Sequence, residues 1–226
     1  MNYKETINLP KTAFSMKARL ARLEPKVQKQ WNEMGLYKMI RDARAGREKY
    51  ILHDGPPYPT GDLHIGTGLN KVLKDFIVRF HTMCGHDAPY VPGWDCHGLP
   101  IEVKVLEELG ERRETTAKSA IRARCRDYAL KYVEVQKRQF KSLGVNGDWD
   151  APYLTIDRGY EAGVLEVFAE MVAGGFVTRD LKPVHWCYHC GTVLAEAELE
   201  YKDIEGPSIY VNFPVAAEQP DGAPAL

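Results

Sequence analysis

The change in hydrophobic period near residue 60 constrains the fold more than any other feature of the sequence. A short apolar run over residues 50–52 ends at a loop, residues 54–67, that contains three prolines. Proline has no N–H to extend a strand ladder, so the run must stop there. Beyond the loop, apolar residues recur every three to four positions from about Ile65 to His81, which is helical spacing. The sequence therefore predicts a strand, a rigid loop and a helix in succession.

This alternation of strands and helices continues along the chain. We predict a second strand over Ala88 to Val91 and a helix from Pro100 to about Leu109. Two more helices follow: one capped by Thr115 or Thr116 and stopped by Gly144, and one from about Gly159 to Ala173 with Asp157 as cap and Gly174-Gly175 as stop. Strands that alternate with helices of this length are typical of an α/β fold with a parallel, doubly wound sheet.

The two ends of the chain differ from this α/β segment. Residues 1–48 are predicted to be a helical arm in which Pro25 separates two helices and Gly35 ends the second. Residues 1–50 contain 12 Lys and Arg against 5 Asp and Glu, so the arm either touches a polyanion or is a solvated helix surface. Residues 182–207 contain short β-like pieces such as Val184 to Trp186, and a strand over Ile209 to Phe213 begins a further domain at 208–226.

Composition excludes several classes of protein. A chain of 226 residues with 44% hydrophobic side chains has enough apolar material for a core, which excludes wholesale disorder. It has neither an apolar run of about 20 residues nor a signal-peptide start, so we expect no membrane association. Its five cysteines are an odd number, which argues against a disulfide framework and favours the reducing cytoplasm.

The loop delivers His64, Gly66 and Thr67 to the N-terminus of the predicted helix. The first N–H groups of a helix are unpaired and carry the positive end of its dipole, so they attract phosphate. An imidazole at this place can donate to phosphate oxygens, and a glycine lets a nucleotide approach the backbone. The alternative is an ordinary connection that contains a chance histidine.

Asp95 and His97 follow the second predicted strand. Ligands of open α/β sheets bind outside the carboxyl ends of the strands, so Asp95 could face the same crevice as His64 and pair with a substrate ammonium. The alternative is that both residues cap the following helix.

Cys187 and Cys190 have the spacing of half a tetrahedral zinc site. His185 or His189 could add a local ligand. A redox pair or two structural thiols are the alternatives.

Five segments in order give a more specific resemblance: GPPYPTGDLHIGT, NKVLKDFIVRF, PYVPGWDCHGLPIE, LGVNGDWDAPYLTID and KPVHWCYHC. Together they resemble the N-terminal part of the isoleucyl-tRNA synthetases, which are class I aminoacyl-tRNA synthetases, from about Lys17 to Phe213. The first segment alone would fit any class I synthetase. GWDCHGLPIE is similar to the isoleucyl form in particular. The resemblance implies that residues 49–181 are the first half of a Rossmann-like catalytic domain and residues 182–207 a zinc-ribbon-like segment.

The resemblance also implies roles for particular residues. It assigns ATP, which arrives with Mg²⁺, to His64, Gly66 and Thr67. It assigns the border of the aminoacyl-adenylate to the loop residues Gly55, Pro56, Pro57 and Tyr58, and the amino acid to Pro56, Asp95 and His97. Cys187 and Cys190 would be half of a Zn²⁺ site. One residue departs from the family pattern, because Thr67 stands where the signature has a second histidine.

The activity implied by the resemblance is the activation of isoleucine with ATP and its transfer to tRNA(Ile) by a cytoplasmic monomer. The family places its KMSKS motif, editing domain, remaining zinc ligands and anticodon-binding region further along the chain. We therefore expect this chain to be an N-terminal fragment that is inactive alone. Two other classes remain open: a nucleotidylyltransferase with an HxGH-type motif, and a non-catalytic zinc-bearing RNA-binding module.

Overall fold

The computed structural model describes residues 3–7, 17–188, 190–203 and 205–213. The chain divides into two compact units, Met1–Thr178 and Arg179–Leu226. Within the described ranges, no helix is both long and apolar enough to cross a membrane.

The first unit is mainly helical, with one small parallel sheet. The sheet pairs β1 with β2, with Gly93 opposite Tyr153 and Trp94 opposite Leu154. The helices and strands, in chain order, are α1 (Leu20–Glu33), α2 (Leu36–Ala43), α3 (Ile65–Met83), β1 (Gly93–Trp94), α4 (Leu99–Leu109), α5 (Lys118–Ser142), β2 (Tyr153–Leu154) and α6 (Arg158–Ala173). Short 3-10 helices cover Tyr3–Thr6 and Gly110–Glu114.

The sheet is smaller than the sequence predicts. The predicted strands over 50–52 and 88–91 are wrong. In their place the structure has one isolated parallel bridge, between Lys49 and Asp87. Tyr50 N donates to Asp87 O over 3.1 Å, and the next rung of such a ladder would need an N–H from Pro89. Pairing therefore resumes only beyond Pro92, at β1. The parallel direction of the pairing is confirmed.

The predicted helices are present, but only one of the two predicted N-caps stands at its predicted position. Neither Thr115 nor Thr116 caps α5, because both hydroxyls donate to Arg112 O, over 3.2 and 2.6 Å, and Ala117 takes the cap position. Asp157 stands at the cap position of α6 without a side-chain capping bond. The glycine stops are confirmed.

Pro25 does not divide the N-terminal helix, so that prediction is wrong. It lies inside a continuous α1. A proline removes a single N–H donor from a helix, and the turns on both sides of Pro25 keep theirs. The helix ends instead just before Gly35, whose φ of 64° is the left-handed conformation that glycine adopts readily.

The core of the first unit is built around β1. Trp94 is fully buried, and its ring centroid lies 6.3 Å from those of Phe140 and Trp149. α4 and α5 bury apolar residues at helical spacing against this cluster: Ile101, Val105, Leu109, Ala129 and Val133. The packing fixes α5 beside the strand that leads into Asp95.

Helix α3 is amphipathic as predicted, but its charged face is the more buried one and its apolar face the more exposed. Its buried residues are Lys71, Asp75 and Val78. Its apolar face is largely exposed, as in Phe76 at 61% and Phe80 at 62%. On this charged face Lys71 contacts Asp54 in the loop that precedes the helix, whereas Asp75 accepts from Asn146 N over 2.9 Å.

The second unit contains a short antiparallel hairpin. β3 (Trp186–Cys187) pairs with β4 (Thr192–Val193), and a 3-10 helix follows at Glu196–Glu198. The predicted strand over 184–186 is thus displaced toward Cys187. The predicted strand over 209–213 is wrong, since these residues have no regular structure. A strand needs a partner for its N–H and C=O groups, and in the described residues none lies beside this segment.

Candidate functional site

The loop before α3 is anchored by a buried carboxylate. Asp54 is 1% exposed and Lys71 2% exposed, and the Lys71 ammonium contacts the Asp54 carboxylate. Lys74 Nζ reaches the other carboxylate oxygen over 2.7 Å. Lys71 Nζ also donates to Tyr90 Oη over 3.0 Å, and Tyr153 Oη donates to the backbone oxygen of Asp54 over 2.7 Å. The start of the loop is therefore tied to α3, to the segment before β1 and to β2.

Burial dominates the acid–base properties of this cluster. It lowers the pKa of Lys71, although the adjacent Asp54 carboxylate opposes that shift. Burial also raises the pKa of Tyr90, and the Asp54 charge adds to the effect. This cluster is not among the residues predicted from the sequence. The available signal was a lysine pair at i and i+3 on the polar face of α3.

We expect Lys71→Met to destabilise the first unit by about 2 kcal/mol, the scale of a lost hydrogen bond to a charged group. Methionine matches the length of the lysine stem, and Lys74 still pairs with Asp54. Urea unfolding of the whole chain measures the change. Lys38→Met, which removes an exposed ion pair to Asp42, should change stability by well under half of that, and equal losses in both variants would contradict a buried anchor.

Side chains on one face of helix α5 bind the middle of the loop that precedes α3. Tyr128 Oη donates to Thr60 O over 3.2 Å, and Gln139 Oε1 accepts from Leu63 N over 3.0 Å. Gln136 lies between them on the same face and is also bonded to the loop. These residues were missed because polar residues in an amphipathic helix are usually solvated. The loop thus reaches α3 in a fixed conformation.

His64 is the N-cap of α3, and its ring folds back onto the helix terminus. Its Nδ1 accepts from Gly66 N over 3.1 Å and from Thr67 N over 3.3 Å. An Nδ1 that accepts leaves the proton of a neutral ring on Nε2, which therefore donates to Thr67 Oγ1 over 2.8 Å. The Thr67 hydroxyl hydrogen remains directed away from the ring.

Gly66 makes this ring position possible. A Cβ at Gly66 would lie 3.0 Å from His64 Cε1 and 3.1 Å from Nδ1, which is too close for an unshifted ring. The absent side chain thus makes room for the imidazole. The ring occupies the place that an anion would take at the first N–H groups of a helix.

Asp95 lies at the carboxyl ends of the two parallel strands. It follows β1 directly, and its Oδ1 accepts from His97 N and from Thr155 Oγ1, each over 3.3 Å. Thr155 follows β2, so both strands contribute to this end of the sheet. Position and chemistry together agree with a ligand site outside the strand ends.

The structure does not support the helix-cap alternative for Asp95. The N-cap of α4 is Gly98, and no side chain caps this helix. The Asp95 side chain accepts from His97 N, which lies before the helix. His97 Nε2 lies 3.2 Å from Thr155 O and 3.2 Å from Glu161 Oε1, so this ring lies next to α6.

One backbone bond joins the loop to the Asp95 segment. Asp95 N donates to Pro57 O over 3.0 Å. Pro56 and Pro57 are half-buried here, whereas Gly55 and Tyr58 are exposed. The structure therefore brings the predicted adenylate loop and the predicted amino-acid carboxylate to the same end of the sheet.

The cysteine pair lies on the turn of the β3–β4 hairpin. Cys190 N donates to Cys187 Sγ over 3.3 Å, Gly191 N donates to Cys187 O over 2.8 Å, and Gly191 has a φ of 65°. A hydrogen bond with Cys187 raises the pKa of the Cys190 thiol. The single N–H donor directed at the Cys187 sulfur is compatible with a metal-bound thiolate at that residue. In the described residues no three His, Cys, Asp or Glu side chains gather to hold a metal, and His189 lies outside them.

Comparison with known proteins shows which class this fold and site define. The chain belongs to the class I tRNA synthetases (I, L, M and V), a family that matches its residues 26–219. It is 57% identical over 213 residues to the isoleucine–tRNA ligase of Kosmotoga olearia, and 55% identical over 216 residues to that of Brachyspira hyodysenteriae. These matches cover 94% and 95% of this chain but only 23% of each relative.

A solved structure supports the fold. The chain resembles the LeuRS of Agrobacterium radiobacter K84, crystallised as a ternary complex with tRNA and LeuAMS, with a TM-score of 0.61 and 24% identity. The likeness covers 80% of this chain and 21% of that one. The predicted class I catalytic-domain fold is confirmed, while the zinc-ribbon character of residues 182–207 stays a prediction.

Proposed function

We propose that the chain is the N-terminal part of an isoleucine–tRNA ligase, which activates isoleucine with ATP and transfers it to tRNA(Ile). The observation that carries the proposal is the bond from Asp95 N to Pro57 O. This bond joins the loop that leads to the proposed ATP signature to the residue whose carboxylate we propose for the amino group. It supports a site in which both substrates of amino-acid activation bind near one end of the parallel sheet.

In the proposed reaction the isoleucine carboxylate attacks the α-phosphorus of ATP. A bond forms between that carboxylate oxygen and phosphorus, the bond to the bridging oxygen breaks, and pyrophosphate leaves with its electron pair. No protein nucleophile is required, so the chain contributes by positioning its substrates and by stabilising charge. Mg²⁺ bound to ATP would offset the negative charge of the phosphates.

The proposed roles of the residues are those that the resemblance implies, and this geometry is compatible with them. The Asp95 carboxylate would bind the α-ammonium of isoleucine, beside Pro56 and His97. His64 and the N–H groups of Gly66 and Thr67 would bind the ATP phosphates once the ring rotates away from the helix terminus. The Thr67 hydroxyl would donate where the family signature has an imidazole. Gly55, Pro57 and Tyr58 would border the adenylate.

The catalytic cycle needs more polypeptide than this chain supplies. The chain spans 23% of the length of the relatives named above. We therefore propose that the chain is inactive alone and that a continuation like that of the relatives completes the site.

Isotope exchange between pyrophosphate and ATP tests the function. The assay compares this chain alone with a chimera in which it is continued by the rest of the Kosmotoga olearia relative. We expect exchange that requires isoleucine in the chimera, and background exchange in the chain alone. Exchange without any amino acid would favour a nucleotidylyltransferase. RNA binding with no exchange in either protein would favour a binding module.

The cysteine turn is proposed as half of a zinc site, with Cys187 and Cys190 as its two protein ligands. Two thiolates satisfy half of a closed tetrahedral site, so binding in this chain should be weak. We expect metal analysis after dialysis to show well under one zinc per chain, with Cys190→Ser removing the remainder. A stoichiometric zinc that resists chelators would contradict the half-site.

A further inference from the structure

The side-chain amide of Gln136 forms hydrogen bonds both to β1 and to the loop that precedes α3, and all of its polar groups take part. It is 4% exposed. Its Oε1 accepts from the indole Nε1 of Trp94 over 2.9 Å, and its Nε2 donates to Tyr58 O over 3.1 Å and to Gly61 O over 2.9 Å. An indole N–H only donates, so the amide oxygen must face Trp94 and both amide hydrogens must face the loop.

The groups that Gln136 joins are those that set the geometry of the site. Trp94 is the fully buried last residue of β1 and immediately precedes Asp95. Tyr58 and Gly61 bracket the turn through which the loop runs toward His64. A single rigid amide thus spans from the strand that carries the amino-acid carboxylate to the loop that carries the ATP signature.

We infer that Gln136 is a positioning residue that fixes the separation between the ATP loop and Asp95. The inference rests on the proposed function, because alignment matters only if both substrates react with each other. Tyr128 and Gln139 hold the loop to α5, whereas Gln136 also holds the strand. Attack on the α-phosphorus requires both reactants at near-contact distance, and a misplacement of about 1 Å costs on the order of 10²-fold. Gln136 touches neither substrate and acts through Trp94 and the loop backbone.

Two substitutions test this role in the full chain. Gln136→Met keeps the size of the side chain and removes all three bonds without adding charge. Gln136→Glu keeps an acceptor for Trp94 but sets a carboxylate against two carbonyl oxygens, which raises the pKa of the new acid. When protonated, that acid can donate one bond again. Gln30→Glu, on the exposed surface of α1, is the control for charge.

The first readout is amide hydrogen exchange over residues 58–64, compared with the unmodified chain at the same pH. We expect faster exchange in both Gln136 variants, and a smaller excess at pH 6 than at pH 8 in Gln136→Glu alone. The Gln30→Glu variant should match the unmodified chain. Unchanged exchange in the loop of Gln136→Met would overturn the inference.

The second readout separates alignment from simple loss of structure. In the chimera, we expect Gln136→Met to bind a non-hydrolysable isoleucyl-adenylate analogue about 10²-fold more weakly, while affinities for ATP and for isoleucine stay within threefold. Equal losses for all three ligands would mean a structural role and overturn the inference. If the unmodified chimera binds none of them, the proposed function fails and the alignment step with it. The exchange result then still decides whether Gln136 holds the loop.

Discussion

Replacing Asp95 with asparagine should lower the affinity for isoleucine by at least two orders of magnitude. The substrate ammonium would lose its counter-charge in a partly desolvated crevice, a penalty of roughly 3–5 kcal/mol. Asparagine has nearly the same shape, and its Oδ1 can still accept from Thr155 Oγ1 and His97 N, which now donate to Asp95. The substitution therefore removes charge while the local fold is kept. Calorimetric titration of the chimera with isoleucine measures the loss.

Two controls make this result specific to the amino acid. The affinity of the Asp95→Asn chimera for ATP should change little, because the nucleotide is assigned to the N-terminus of α3. Asp157→Asn removes a nearby exposed carboxylate that makes no capping bond, and it should leave isoleucine binding intact. Isoleucine binding to the Asp95→Asn protein within threefold of the parent would show that Asp95 is structural.

Replacing His64 with alanine should slow adenylate formation in the chimera by about 10²–10³-fold, the usual result of removing one donor to the transition state. The variant also loses the N-cap that Nδ1 provides to Gly66 N and Thr67 N. A lost cap costs roughly 1 kcal/mol of stability, which thermal unfolding reports separately. The rate is measured by isotope exchange between pyrophosphate and ATP at saturating isoleucine.

Thr67→Ala is the matched control at the same helix terminus. It removes the hydroxyl that accepts from His64 Nε2 but leaves the backbone N–H groups and the ring in place. We expect a smaller loss of rate than for His64→Ala. The opposite ranking would mean that the roles of the two side chains are exchanged.

The sequence predicts the order of helices well because helical periodicity and glycine stops are local signals. Strand positions were less predictable, since whether residues 88–91 pair depends on which backbone groups Pro89 and Pro92 still offer to a neighbour. The period of α3 identifies its two faces correctly. It does not say which face is buried, because that depends on Asp54, a residue on another element that requires cationic partners.

The predicted site residues were identified from sequence motifs. The residues that hold them in place belong to no such motif. Asp95 and His64 stand at a strand end and a helix start, places that a linear pattern can locate. Lys71 and Gln136 are polar residues on helices, and a sequence pattern assigns such residues to solvent. Their burial depends on partners at least 17 residues away in the chain, which only the folded structure brings together.

In the proposed site, the folded-back ring of His64 would make phosphate binding an exchange of acceptors. Two amides already have a partner in Nδ1, so an arriving oxyanion gains only the difference between a charged acceptor and a neutral one. When the anion leaves, the ring can return and accept again from Gly66 N and Thr67 N. These two N–H groups are then not left without an acceptor. In the proposed enzyme this exchange would lower the affinity for the nucleotide and ease its release.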